Sequence, residues 1–161
     1  MRHAGWLMLC GLIMALPGAA QECRPLSGVW RMVPEKSFFA GLKNPAEQAE
    51  NETLVIAQKG AKIEESWNLD GSRLHENVAY GYVVDGTQQV LPKGSHMPAW
   101  VRAEWQNCTL IVDKKMPFLA GFSFEVRNTY VLSPDGKQLT ILQEAHSQIA
   151  EVERRLLFEK Q

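Results

Sequence analysis

Phe122-Ser123-Phe124-Glu125-Val126-Arg127-Asn128-Thr129-Tyr130-Val131-Leu132 is the stretch that decides the fold. Phe122, Phe124, Val126, Tyr130 and Leu132 fall on one face, and Ser123, Glu125, Arg127 and Thr129 on the other. That is the period of two of a strand with one buried side. The pattern recurs on either side of it. Ile63, Trp67 and Leu69 alternate against Glu64, Ser66 and Asn68, and Leu74, Val78, Tyr80, Tyr82 and Val84 share one face of residues 74–84. Shorter segments of the same kind occupy residues 26–33, 53–58, 87–91, 100–106, 109–113, 138–145 and 152–159. Asp70-Gly71, Asp85-Gly86 and Asp135-Gly136 separate them, with Lys59-Gly60 and Asn107-Cys108 at equivalent places. Such dipeptides accept the positive φ angles of tight turns. The chain therefore reads as an all-β antiparallel meander of about ten short strands, whose edges must close or pack as two sheets. One segment departs from the pattern. Asn44-Pro45-Ala46-Glu47 supplies an N-cap, a proline at the first helical position and a glutamate at the third, which predicts a short helix over 45–50. It sits in a long connection, residues 34–52.

The chain has 161 residues, 45% hydrophobic and 22% charged, with a formal net charge of −1. This composition excludes disorder, collagen and coiled coil. Residues 1–20 read as a secretory leader: Arg2 and His3 begin it, an uncharged apolar run from Trp6 to Leu16 follows, and Pro17-Gly18-Ala19-Ala20 brings small residues to the cut. The run is too short for a membrane helix, and nothing downstream is long and apolar enough to be one. Residues 21–161 are then one domain in a secreted or periplasmic protein. With no basic run the chain lacks a handle on phosphate, so nucleic acid is not an expected partner. Cys10 leaves with the leader. Cys23 and Cys108 remain, and in an oxidising compartment they can pair.

Gly28-Val29-Trp30 opens the first strand of this meander. A G-x-W at that place resembles the lipocalins and their calycin relatives. The longer run from Leu26 to Phe38, Leu-Ser-Gly-Val-Trp-Arg-Met-Val-Pro-Glu-Lys-Ser-Phe, is similar to the opening of small secreted bacterial lipocalin-like proteins, and Leu156-Leu157-Phe158-Glu159-Lys160 to their closing strand. The resemblance implies an up-and-down meander closed into a barrel, with Gly28 and Trp30 structural. It also implies that Trp30 stacks on an arginine from a late strand, Arg154 or Arg155, and that the inside of the barrel is the ligand site. Calycin relatives often cover the barrel mouth with the connection that follows the first strand. That suggests a lid here, with Phe38, Phe39 and Leu42 as its apolar residues; the alternative is a segment packed on the outer wall as an extra core element.

Catalytic and metal-binding motifs are absent from the sequence. His75, His96 and His146 form no paired ligand spacing, no G-x-S-x-G presents a nucleophile, and no glycine-rich phosphate loop occurs. Neither an enzymatic role nor a metal or other cofactor is expected. The informative residues are polar ones that alternation places among apolar neighbours: Glu65 between Ile63 and Trp67, Glu76 between Leu74 and Val78, Asn128 between Val126 and Tyr130, and Arg154 between Val152 and Leu156. Inward charges must pair with one another or line a wet cavity; a register slip would instead turn them outward. Two functions stay open. One is a binding protein holding a small, largely apolar ligand, with Trp67, Tyr80, Phe124 and Tyr130 as walls and Glu65, Glu76, Asn128 or Arg154 at a polar end. The other is a barrel filled by its own aromatic side chains, serving as a structural or protein-interaction domain of the envelope.

Overall fold

The computed structural model describes residues 23–40, 51–70, 75–93, 97–117, 122–147 and 151–161. Eleven strands are present among them: β1 (Gly28–Met32), β2 (Phe38–Ala40), β3 (Asn51–Lys59), β4 (Lys62–Asp70), β5 (His75–Val83), β6 (Gln88–Val90), β7 (Trp100–Gln106), β8 (Thr109–Pro117), β9 (Ser123–Leu132), β10 (Gln138–His146) and β11 (Glu151–Lys160). All strand ladders are antiparallel, in the order β5-β4-β3-β1-β11-β10-β9-β8-β7-β6, with β2 also paired to β11. The last strand returns to the first, so the meander curls into a barrel that is nearly closed.

The remaining seam, between β5 and β6, is stitched without a regular ladder. Val84 bridges Ala103, and the Gln89 side-chain amide both donates to the Val83 carbonyl at 2.6 Å and accepts from the Val83 N–H at 2.7 Å. One side chain thereby stands in for a missing backbone partner and satisfies both polar groups of Val83 on an edge without a ladder.

The expected alternation is met along β4, where Ile63, Glu65 and Trp67 are buried and Glu64 and Asn68 exposed. β8 runs four residues beyond the expected end at Asp113, because Lys114 and Met116 continue the inward face of Leu110 and Val112. The connection after β1 differs more. A single 3-10 turn, Pro34–Lys36, interrupts the strand, and β2 then resumes pairing along β11, with Phe38 opposite Arg155 and Phe39 opposite Arg154. Phe38 is 53% exposed, and its cross-strand partner Arg155 is exposed too. Directly opposed residues share a face, so Phe38 stands on the outer wall and not over the mouth. Leu42, the helix expected over 45–50 and residues 1–20 lie outside the described residues, as do the side chains of Phe39 and Glu76. Among the described residues no helix is long and apolar enough to cross a membrane.

One end of the barrel is plugged. The segment 23–27 crosses it, pinned by a Cys23–Cys108 disulfide (Cα–Cα 5.1 Å) to the β7–β8 turn, where Asn107 takes a positive φ of 54°. The Leu26 N–H donates to the Gln58 side chain at 3.0 Å, and the Ser27 hydroxyl accepts from the Gln58 N–H at 2.9 Å. Leu26 and Trp30 are thereby sealed, and the Trp30 indole N–H donates to the Leu26 carbonyl at 2.9 Å. The cation on Trp30 is Lys160, whose Nζ lies 5.1 Å from the ring centroid, in place of Arg154 or Arg155. Register is the reason: Trp30 pairs with Lys160, and Arg154 lies six residues back along β11, about 20 Å away at strand rise. Packed against this plug on its inner side, Leu54, Ile63, Leu110, Leu139, Ile141, Leu156 and Phe158 are wholly inaccessible to water.

Candidate functional site

Above that apolar plug the inner wall turns polar. Period two carries Glu65 of β4 to the interior with its flanking apolar residues, where it is 1% exposed. It accepts from the Trp67 indole at 2.9 Å and from three phenols, Tyr80 at 3.1 Å, Tyr130 at 3.2 Å and Tyr82. The network continues on both sides. Lys114 of β8 donates to the Tyr80 oxygen at 3.1 Å. Opposite, Asn128 donates to the Tyr130 oxygen at 3.2 Å, Gln143 to Asn128 Oδ1 at 3.0 Å, and Arg154 Nε to Gln143 Oε1 at 2.7 Å. Arg154 Nη1 then lies 3.6 Å from Glu52 Oε1 of β3. Every donor in the two arms points toward Glu65, so a cation stands at each end and a carboxylate at the centre. Such chains polarise one another in a low-dielectric interior.

The environment moves several of these groups. Burial, reinforced by the neighbouring Glu65 charge, raises the phenols of Tyr80, Tyr82 and Tyr130 well above their ordinary value of 10. Burial lowers Lys114 to about 8, against the attraction of Glu65. Burial also raises Glu52, partly opposed by Arg154, and Glu52 Oε2 is buried without a hydrogen-bond partner. An acid whose folded pKa is raised contributes most below its unfolded value, and that contribution is lost as pH rises through the folded one. Glu52→Gln should therefore raise stability by about 1 kcal/mol near pH 7.5, with the gain fading toward pH 4. Urea titrations of both proteins at the two pH values measure it, and equal stabilities throughout would show that the carboxyl is not strained.

Among the sequence candidates, Glu65, Trp67, Tyr80, Asn128, Tyr130 and Arg154 come together in this network. Phe124 lies two positions beyond Val126 on the same inward face and is half-buried. Glu76 stands in β5 opposite Leu69. Four members were not singled out: Glu52, Tyr82, Lys114 and Gln143. Alternation held the signal for each, since Glu52 keeps step with Leu54 and Ile56, Tyr82 with Tyr80, Gln143 with Ile141 and Ala145, and Lys114 with Val112 once β8 is taken past Asp113. Beyond the network, toward the end opposite Trp30, the inward faces carry Leu69, Val78, Met116, Phe124 and Val152, all partly exposed. A depression of about 560 Å3 lies along β3, β4 and β5, lined by the outward-facing Val55, Ala57, Glu64 and Ala79 and also by Glu65 and Tyr80 of the network. Among the described residues no cluster of three or more acidic, histidine or cysteine side chains could hold a metal.

A barrel closed by its first and last strands, plugged at one end and polar within, is calycin-like in architecture. It is shared with zebrafish ileal bile acid-binding protein solved with cholic acid, 11% identical over 84% of this chain and 98% of that one, TM-score 0.53. Secretory abundant heat soluble protein 4 of Ramazzottius varieornatus is 12% identical over 88% and 99%, TM-score 0.55. Apo lipid binding protein 8 of Caenorhabditis elegans is 14% identical over 84% and 95%, TM-score 0.53. No family model and no curated protein matches the sequence. At these identities the likeness establishes the fold alone.

Proposed function

We propose that this is an exported binding protein, working in the periplasm or outside the cell, that holds a small amphipathic molecule inside its barrel. The observation that carries the reading is the layering of the inner wall. Half-exposed apolar residues, Leu69, Val78, Met116, Phe124 and Val152, lie above a belt ending in two cations, Lys114 and Arg154. An apolar wall with a few fixed polar groups is the usual make-up of a small-molecule site. The ligand's apolar body lies among the former and its polar group meets the Arg154 arm. Two proteins of the same architecture bear names that refer to bile acid and lipid, which supports the class of ligand. The leader over 1–20 and the Cys23–Cys108 pair support export; a disulfide persists where thiols are not kept reduced.

Titration with oleate and with cholate, followed by tryptophan fluorescence, tests this, because Trp67 lies in the belt. Saturable binding is expected, with Arg154→Met weakening it about tenfold or more, the value of a charge-assisted hydrogen bond. A second reading, the filled barrel, is favoured by the belt's near-complete internal satisfaction, Glu52 Oε2 excepted. It requires that neither amphiphile binds saturably and that protein purified from its own host shows no co-purifying mass.

A further inference from the structure

Lys114 has chemistry that a positioning role leaves unused. It is 7% exposed and faces the interior from β8. Its ammonium lies 5.8 Å from the Trp67 ring centroid and 5.6 Å from that of Tyr80. Its hydrogen bond goes to a phenol oxygen and not to an acid; among the described residues no carboxylate is within ion-pair reach of it. The charged groups that face it are Glu65 of β4, reached through Tyr80 of β5, and Arg154 of β11. Its paired positions, Val101 on β7 and Val126 on β9, bear no charge. Exposed lysines such as Lys62, by contrast, hold a carboxylate at 2.7 Å.

The geometry points to Lys114 as a site of reversible covalent capture, forming an imine with an aliphatic aldehyde that enters the barrel. A lysine held in an apolar, aromatic-walled pocket is the kind that serves as a carbonyl nucleophile. The nitrogen attacks the carbonyl carbon to give a carbinolamine, and the C–O bond then breaks. The oxygen leaves as water with two protons of the original ammonium, while the third stays on the iminium nitrogen. Charge is conserved, and no oxidant or reductant is consumed. Tyr80, hydrogen-bonded to both Lys114 and Glu65, is placed to pass protons between nitrogen and carboxylate during dehydration. Glu65 then faces the iminium as its counter-charge through the same phenol. The depressed pKa of about 8 leaves a sizeable fraction of the amine neutral near physiological pH.

This inference rests on the interior being a ligand site, and the test separates the two. The full mature protein is incubated with one equivalent of decanal, reduced with cyanoborohydride and peptide-mapped. The decyl group is expected mainly on Lys114, rising with pH around a midpoint near 8, and suppressed at least fivefold by excess oleate. Lys114→Arg, which keeps the charge but is no nucleophile toward the aldehyde, should lose that adduct. Decyl groups spread over surface lysines, with Lys114 unmodified in a protein that binds oleate, overturn the capture alone. If oleate does not bind and Lys114 is unmodified, both readings fall. Because the mapping uses the wild-type chain, it decides the matter even if the variant does not fold.

Discussion

Glu65→Ala should destabilise the fold by about 3–5 kcal/mol, the range for removing one partner from a buried charged cluster. Four donors lose their acceptor together: the Trp67 indole and the phenols of Tyr80, Tyr82 and Tyr130. Each buried donor left unpaired costs about 1–3 kcal/mol. The sum overstates the loss, since water can enter the space the carboxylate vacates. Glu65→Gln keeps an acceptor oxygen and should lose less than the alanine variant. Urea denaturation followed by circular dichroism gives both numbers, and a loss under 1 kcal/mol for the alanine variant would mean the network contributes nothing net. The alkaline absorbance change adds a second readout. Burial is the main cause of the raised phenol values and Glu65 the next, so in Glu65→Ala the three tyrosines should ionise at lower pH than in the wild type, while staying above 10.

Trp30→Ala should cost about 3–5 kcal/mol as well, by a different route. Here the loss is a cavity in the plug. The ring is wholly buried against Leu26, and the space is bounded by β1, β3 and β11, which cannot all move inward. Removing the indole also frees the Leu26 carbonyl that it caps at 2.9 Å. The stacked Lys160 adds only about 0.5–1 kcal/mol at its exposed site, so Lys160→Ala should be mild by comparison. Gly28 belongs to the same arrangement. It has φ +154°, and an added Cβ would come within 2.6 Å of Lys160 Cε, so alanine there would push the lysine off the ring. A loss of under 1 kcal/mol in Trp30→Ala would show that the plug is held by the disulfide and the Gln58 bonds instead.

Strand identity and facing were legible in the sequence wherever a face is fully apolar. β9 and β4 show why: misplacing either by one residue would put Tyr130 or Ile63 in water and charges in the core, so the pattern admits one register. Glu65 and Asn128 could be placed inside by the same logic, because each is flanked by residues whose burial is not in doubt. The end of β8 could not. Lys114 reads as a solvated terminus until the ladder to β9 shows Lys114 opposite Val126 and Met116 opposite Phe124. The strand inside the connection after β1 is likewise visible only in the ladder. β11 is long enough to pair β1 and then β2 along one edge, and no alternation over three residues announces so short a strand.

By itself the sequence determined an all-β meander, its turns and the inward face of its strands, because burial and tight-turn geometry act on neighbours along the chain. Only the tertiary structure decided what those faces meet. Which cation covers Trp30 depends on the β1–β11 register, which sets Lys160 and not Arg154 over the ring. That Glu52, Glu65, Lys114 and Arg154 share one network depends on closing the sheet, which brings β3, β4, β8 and β11 around a common interior. Hydrogen bonds act over about 3 Å while these partners stand up to 102 residues apart, as Arg154 does from Glu52. No local pattern encodes such a pairing, and it exists only once the barrel has closed.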